Sequence, residues 1–189
     1  WQPAPDSMLT AWGEKLTPET AWTEYPRPAF VRGHWTNLNG LWDYAVTGKA
    51  DDTAPDRWDG RILVPFAIES ALSGVKRRIT PDDAIWYRRS FAHKPHPKRP
   101  RTRLNFEAVD YRCTVWVNET EVGIHTGGNL PFSFDITEAL REGGNRLLVR
   151  VTDATDAPGA YQLHGKQVRE PRGIWYTPVT GIWQTVWLE

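Results

Sequence analysis

The segment Ala160–Arg169 concentrates side chains that could do chemistry: one aromatic ring, Tyr161, lies among several hydrogen-bonding groups. These groups are Gln162, His164, Lys166, Gln167 and Arg169. Sugars are bound by this combination, because an aromatic ring stacks on the apolar face of a sugar while planar polar side chains bind its hydroxyls or a carboxylate. The sequence therefore predicts a sugar-binding site here, with an exposed polar loop as the alternative. For the nearby Trp175 and Tyr176, packing in the core or at a domain interface is the stronger prediction.

Catalytic patterns are weak. Retaining glycoside hydrolysis needs two carboxyl groups about 5 Å apart, one of them kept protonated by its surroundings. No spacing pairs the available acids, so surface or turn positions are predicted for them. They are Glu69, Glu107, Asp110, Asp153 and Glu170. Ser70 and Ser133 lie outside any Gly-x-Ser-x-Gly sequence. We predict no catalytic residue in this chain.

Metal-ligand patterns are also weak. His93 and His96 lie among prolines and lysines, where a solvated loop is a simpler interpretation than a zinc site. The pairs Asp51-Asp52 and Asp82-Asp83 could supply oxygens to a structural Ca²⁺. We predict no metal site and no cofactor, with structural Ca²⁺ as the open alternative.

Two short motifs have structural interpretations. Asn118-Glu-Thr120 matches a glycosylation sequon, but chance occurrence in a hairpin is the favoured explanation. The glycines of Thr126-Gly-Gly-Asn129 could form an anion-binding nest. Because Pro131 and Phe132 follow closely, a turn is the stronger prediction.

Composition limits the classes of partner. The 189 residues include 23 Lys or Arg and 23 Asp or Glu, a balance that argues against nucleic acid or an anionic membrane as the main partner. No apolar run approaches the roughly 20 residues of a membrane-spanning helix. The single cysteine, Cys113, cannot form an internal disulfide. Most of the 11 tryptophans are expected in the core.

The chain shows no signal peptide and begins Trp1-Gln-Pro-Ala-Pro5 without an initiator methionine. We interpret it as trimmed, either after export or by design, which favours a periplasmic or secreted location.

Alternation of apolar and polar residues predicts the fold. Cys113, Val115 and Val117 alternate with Arg112, Thr114 and Trp116, as in a half-buried strand. Short strands spaced about ten residues apart and divided by Gly, Pro and Asn indicate a β-sandwich or barrel. The other predicted strands are 41–46, 61–64, 85–91, 104–106, 121–125, 132–135, 146–151 and 181–189. Short helical turns are expected at 17–20 and 135–140, and a long polar loop at 155–172.

Residues 1–34 are rich in Pro, Thr and Trp and lack periodicity. We expect an irregular arm packed on the sandwich, and one β-rich domain at 35–189.

Several segments together resemble the amino-terminal domain of glycoside hydrolase family 2, in that family's order, over about residues 38–189. The family includes β-galactosidases, β-glucuronidases and β-mannosidases. The matching segments are Leu38–Tyr44, Val64–Ser70, Trp86–Phe91, Val115–Asn118, Gly123–Gly128, Pro131–Thr137, Gly144–Val149 and Gly181–Leu188. One departure is Glu119, where the family usually has Gly after Asn118, so the type of this turn is left open.

The resemblance implies an all-β jelly-roll sandwich, similar to galactose-binding domains and called the sugar-binding domain. In such enzymes an immunoglobulin-like domain and a TIM barrel with two catalytic glutamates follow, and neither is in this chain. The loop before the final strand reaches the barrel and helps to shape its sugar subsite, which favours the segment containing Tyr161. Carbohydrate and the two later domains are the implied partners.

Three hypotheses follow. In the first, the chain is the non-catalytic sugar-binding and scaffold domain of a family 2 enzyme, and it does not hydrolyse glycosides alone. In the second, it is an independent carbohydrate-binding module. In the third, it is a purely structural domain that makes contacts between domains or in a dimer.

Overall fold

The computed structural model describes residues 1–94 and 96–189, and their secondary structure is almost entirely β. The strands are β1 (Thr36–Asn37), β2 (Gly40–Gly48), β3 (Gly60–Val64), β4 (Asp83–His93), β5 (Arg103–Phe106), β6 (Val109–Asp110), β7 (Arg112–Val117), β8 (Thr120–Thr126), β9 (Phe132–Asp135), β10 (Gly143–Thr152), β11 (Gly181–Ile182) and β12 (Val186–Leu188). Three short 3₁₀ helices span Gly13–Lys15, Ala71–Ser73 and Thr137–Ala139. None of the described helices is long and apolar enough to cross a membrane.

The strands form two main antiparallel sheets. One has six strands in the order β3-β2-β4-β10-β7-β8, and the other has four in the order β1-β12-β5-β9. A further pair, β6 and β11, joins the chain just before β7 to the chain just before β12. The predicted all-β jelly-roll sandwich is confirmed.

The core lies between the two sheets. Val115 and Val149 of the six-stranded sheet belong to the same buried cluster as Leu104 and Val186 of the four-stranded sheet. The predicted alternation in β7 is confirmed, since Cys113, Val115 and Val117 are fully buried. Each such side chain contributes roughly 1.5–3 kcal/mol through burial. Burial also raises the pKa of the Cys113 thiol to about 12, so this thiol stays protonated.

Two local predictions are corrected. The final strand is not continuous, because β11 and β12 are separated at Trp183, whose indole N–H donates to the Gly128 carbonyl at 2.8 Å. Residues 17–20 form a hydrogen-bonded turn, with the Thr20 N–H donating to the Thr17 carbonyl at 3.1 Å, and the nearby helical turn lies at Gly13–Lys15.

The tryptophans are less buried than expected. All 11 lie in the described part of the chain, and only Trp42, Trp86 and Trp187 are fully buried. Trp12 is 83% exposed, and Trp22 is 40% exposed. Both belong to the arm, which covers the sandwich with one side and presents the other to solvent.

Residues 1–34 cross the sandwich without regular strands. The Ala4 N–H donates to the Ala71 carbonyl at 2.9 Å near the start of the arm. Further along, the Trp22 carbonyl accepts from the side-chain amide of Asn39 at 3.1 Å. The Tyr25 hydroxyl binds a carboxylate oxygen of Glu189, directly after β12, at 2.6 Å. The arm therefore connects the Ala71–Ser73 helix to the last strand.

Strands β4 and β10 define two opposite ends of the sandwich. Ile85 pairs with Val151 and His93 with Gly143, so the two ends are about 30 Å apart at the strand rise per residue. We call the end at Asp83 and Thr152, from which residues 153–180 emerge, the loop end. We call the end at His93 and Gly143, from which the Lys- and Arg-rich residues 94–102 emerge, the basic end.

Candidate functional site

Residues 153–180, the loop of the loop end, connect β10 to β11 without a strand or helix of their own. An isolated parallel bridge joins Gln167 to Tyr176. At this bridge the Val168 N–H donates to the Tyr176 carbonyl and the Tyr176 N–H donates to the Lys166 carbonyl, both at 2.9 Å. The two halves of the loop therefore lie side by side.

Asp153 is the hydrogen-bonding centre at the start of the loop, and it is only 5% exposed. One carboxylate oxygen accepts from the Thr155 N–H at 2.9 Å and from the Gln162 side-chain amide at 2.6 Å. The other oxygen accepts from the Thr180 hydroxyl at 2.8 Å. One buried carboxylate thus ties together the first, middle and last parts of the loop.

Glu69 lies next to Asp153 through their shared partner Thr180. One Glu69 carboxyl oxygen accepts from the Thr180 N–H at 3.0 Å, whereas the other has no hydrogen-bond partner among the described residues. Burial raises the pKa of Glu69 to about 7, against the opposing effect of the Thr180 hydrogen bonds. Near neutral pH the Glu69 carboxyl group therefore gains or loses a proton at the position where it holds the Thr180 N–H.

Asp110 is the third buried carboxyl group, at the β6 end that pairs with Gly181. It is 3% exposed, and burial together with the charge of Asp153 raises its pKa to about 7, while Gln167 opposes this shift. Gly128 packs against its carboxyl group so closely that a Cβ there would overlap it. We call Glu69, Asp110 and Asp153 the buried acid group.

The buried acid group corrects the prediction of surface or turn positions for these acids. Asp110 precedes β7 and Asp153 follows β10, so proximity to two buried strands was the available signal in the sequence. The prediction fits the other two acids better, because Glu107 is half-buried and the Glu170 side chain is 87% exposed. Among the described residues, no group of three His, Cys, Asp or Glu is placed to hold a metal ion.

The predicted sugar-binding residues fall into two sets. Tyr161 is fully exposed, and Lys166 is exposed. The other side chains make bonds within the loop. Gln162 binds Asp153, and the side-chain carbonyl of Gln167 accepts from the Val179 N–H at 2.6 Å. Arg169 binds Asp156 at 2.7 Å. His164 Nδ1 contacts the backbone carbonyl of Gln167 at 3.0 Å. The loop therefore uses most of its planar polar groups to fix its own shape.

The loop carries five large exposed apolar side chains. They are Tyr161, Leu163, Ile174, Trp175 and Tyr176, and we call them the apolar loop surface. Leu163 is 80% exposed, and Trp175 and Tyr176 are 40% and 63% exposed, which excludes the core for the last two. Sequence reasoning did not include Leu163 or Ile174 in a site. A cluster of this kind is typical of a surface that contacts a ligand or another domain.

Asn118, the residue of the sequon, has a structural role. It is 6% exposed, and its side-chain amide donates to the Ala139 carbonyl at 2.7 Å and to Asn145 at 3.0 Å. Its φ of 53° begins a two-residue hairpin loop with Glu119. Because Glu119 lacks a positive φ, the turn is not of type I′.

The glycines of Thr126–Asn129 and the aspartate pairs also serve local geometry. The Gly127 N–H donates to the Tyr111 carbonyl at 3.0 Å, which extends the pairing of β7 with β8, and the chain bends at 128–130. Asp51 accepts from the Gly48 N–H at 3.0 Å, and Asp83 from the Thr80 N–H at 2.8 Å.

A family model described as glycosyl hydrolases family 2, sugar binding domain, matches residues 62–188. The chain belongs to glycosyl hydrolase family 2. The match covers the strands from β3 to β12 and the whole of the loop 153–180.

Relatives of the family 2 chain agree with this assignment. A putative β-glucuronidase of Formosa agariphila is 34% identical over 143 residues, covering 72% of this chain and 17% of that protein. A β-galactosidase of Arthrobacter sp. is 31% identical over 125 residues, covering 66% of this chain and 10% of that protein. The chain therefore spans less than a fifth of the length of these curated relatives.

Solved structures show the same fold. A β-glucuronidase from an uncultured Clostridium sp. matches 82% of this chain with a TM-score of 0.59 and 23% identity. A Ruminococcus gnavus β-glucuronidase matches 87% with a TM-score of 0.62 and 17% identity. The matched region is 28% and 30% of those longer chains.

Proposed function

We propose that this family 2 chain is a non-catalytic sugar-binding and scaffold domain that supports the hydrolysis of O-glycosidic bonds. In this proposal a TIM barrel outside the present residues carries the catalytic pair. The β-galactosidases and β-glucuronidases among its relatives support the reaction class. The burial of Glu69 and Asp153 supports a non-catalytic role for them, because both carboxyl groups hold Thr180 at the end of the loop.

One observation carries the proposal: the apolar loop surface is exposed, yet the loop beneath it is anchored by the buried acid group. Fixing Gln162 and Thr180 on Asp153 holds Tyr161 and its neighbours in one arrangement before anything binds. A fixed aromatic surface suits stacking on a sugar ring and contact with a neighbouring domain equally. Lys166 remains available as a donor beside it.

Isothermal titration of the 189-residue chain against galactosides, glucuronides, mannosides and plant oligosaccharides tests the sugar-binding part. We expect millimolar binding of at least one class, lost in Tyr161→Ala because the stacking ring is removed. Trp12→Ala is the matched control, since Trp12 is an exposed aromatic residue of the arm. Equal loss in both variants, or no heat with any sugar, would overturn the sugar-binding part and leave a scaffold.

Assays with nitrophenyl glycosides test the non-catalytic part. We expect no turnover by the chain at any pH between 4 and 9. Turnover that is abolished by Glu69→Gln or Asp110→Asn would instead make the buried acid group catalytic.

A further inference from the structure

Residues 93–103 at the basic end concentrate positive charge. They include five Lys or Arg and no Asp or Glu. The five are Lys94, Lys98, Arg99, Arg101 and Arg103. Because the whole chain carries 23 residues of each sign, the remainder is net acidic, and the overall neutrality conceals a strongly basic region. A local excess of this kind, unlike net charge, indicates an anionic partner.

The arm adds cationic and imidazole side chains opposite this segment. A cavity of about 300 Å³ is lined by His34 of the arm and by Lys94, His96 and Arg99. An adjoining cavity of about 420 Å³ is lined by Arg32, His34 and Arg99. The two cavities adjoin, since they share His34 and Arg99, and we call them together the basic groove. The rings of His34 and His96 are 5.6 Å apart between centroids.

The carboxylates nearest to the basic groove already bind other residues of the chain. Glu189 lines both cavities, but its oxygens accept from the Tyr25 hydroxyl at 2.6 Å and the Trp187 indole at 3.2 Å, and they pair with Arg27 at 3.5 Å. Asp135 binds Arg101 at 2.8 Å.

Among the described residues, the remaining cations at the basic end have no ion-pair partner within 4 Å, although the charge of Arg32 contributes to lowering the pKa of Glu189. In the described part of the chain, no ion pair involves Arg32, Lys94, Lys98 or Arg99. Like charges that line one depression repel one another, and an external anion relieves that repulsion. The groove therefore has the electrostatics of an anion site that the protein itself does not fill.

We propose that the basic groove binds an acidic polysaccharide through carboxylate or sulfate groups on successive sugar units. The cations lie on two exposed segments, the arm at Arg32 and the hydrogen-bonded turn at 96–99, and do not converge on one buried point, which fits a linear polyanion better than a single ion. The choice of a polysaccharide over a nucleic acid rests on the carbohydrate function proposed above. Because the groove is about 30 Å from the loop end, it would hold the polymer separately from the apolar loop surface.

Affinity electrophoresis of the 189-residue chain tests this proposal, with polygalacturonate, dextran sulfate, uncharged dextran and duplex DNA compared at low and moderate salt. The groove variant combines Arg32→Gln, Lys94→Gln and Arg99→Gln, which replace the cations that line the basic groove and form no ion pair among the described residues. The control combines Lys15→Gln, Lys49→Gln and Arg57→Gln, which remove the same charge from exposed residues elsewhere that form no ion pair in the described chain. We expect binding of at least one acidic polysaccharide but not of dextran, weakened about tenfold or more in the groove variant and less than about twofold in the control.

The two acidic polymers distinguish carboxylate from sulfate recognition. Equal weakening in both triple variants would overturn the proposal, because net charge alone would then explain binding. Absence of binding to both acidic polymers would also overturn it, and tighter binding of DNA than of either polymer at equal salt would show that the polymer class is wrong. Tyr161→Ala should leave polyanion binding unchanged, so failure here is distinguishable from failure of the sugar site at the loop end.

Discussion

The two ends of the sandwich hold their irregular segments by opposite means. At the loop end, residues 153–180 are attached to buried carboxyl groups. Asp153 by itself accepts hydrogen bonds from three of their residues, Thr155, Gln162 and Thr180. At the basic end, the described residues of 94–102 are attached mainly near Thr102. Its N–H donates to the Thr137 hydroxyl and its carbonyl accepts from the Ile136 N–H, both at 3.0 Å.

This difference shows two uses of charge in one small domain. A buried carboxylate is costly unless its hydrogen bonds are made, so it fixes the loop around it in a single arrangement. An exposed cation costs little and remains available to an external anion. Charge inside the protein positions the apolar loop surface, whereas charge outside it prepares the basic groove for a partner.

The largest expected contrast between the ends comes from two glycines with nearly equal φ angles. Gly181 has a φ of 90°, and a Cβ there would overlap the hydroxyl of the fully buried Tyr87. Gly143 has a φ of 87°, but a Cβ there would meet nothing within 4 Å. We expect Gly181→Ala to lower the free energy of unfolding by about 3 kcal/mol or more. Gly143→Ala should cost about 1–2 kcal/mol, from backbone strain alone.

Urea unfolding of both variants measures this contrast. Equal losses would show that backbone strain dominates at both ends and that the packing of Tyr87 against Gly181 contributes little. A loss of sugar binding in Gly181→Ala, but not in Gly143→Ala, would connect this packing to the apolar loop surface.

The second expected contrast is in pH dependence near neutral pH, which the buried acid group produces at the loop end. The pKa of Glu69 is about 7 in the folded protein, compared with an ordinary value of 4.5. Between these two values the folded state keeps a proton that the unfolded state has lost. The stabilising contribution of the neutral group is therefore complete below pH 4.5, falls as pH rises, and is lost above pH 7. Glu69→Gln removes this loss, so we expect it to raise the free energy of unfolding at pH 8 by about 2 kcal/mol and to change it little at pH 4.5.

Asp110→Asn should show the same sign, since its pKa is also raised to about 7. Glu14→Gln, at an exposed position of the arm, is the matched control and should leave the pH profile unchanged. A profile identical in Glu69→Gln and the parent chain would show that this carboxyl group is ionised in the folded protein at neutral pH.

The sequence predicted the frame of the fold well because local periodicity determines it. The alternation at Cys113, Val115 and Val117 and the breaks at Gly, Pro and Asn identified every strand of four or more residues, but not the two-residue strands β1 and β6. The strand prediction failed at Trp183, where β11 and β12 separate. The hydrogen bond from the Trp183 indole to the Gly128 carbonyl joins residues 55 positions apart in the chain. No local pattern contains such a contact.

The candidate site was predictable only as a segment. The composition around Tyr161 marked the loop, but the use of Gln162 as an internal support depends on Asp153, whose burial follows from the packing of other strands. For the same reason, the position of Glu69 next to Thr180 could not be read from residues 111 positions apart. Net charge was uninformative about the basic end, because a sum of zero contained a local excess around Arg99.

The smallest expected contrast is in salt dependence, and it belongs to the basic end. If the unpaired cations repel one another, replacing Lys98 and Arg99 together by Gln should raise Tm by about 1 °C at low salt and by nothing measurable at 1 M NaCl, where screening removes the repulsion. Arg101→Gln is the matched control, and it should change Tm in the opposite direction. It removes the partner of Asp135, whose pKa is lowered to about 2 by hydrogen bonds from Thr137 and Arg101, so Tm should fall. Differential scanning calorimetry at the two salt concentrations measures both changes. A double variant that lowers Tm at low salt would mean that Lys98 and Arg99 are stabilised by interactions within the protein, and the electrostatic case for an external polyanion in the basic groove would fail with it.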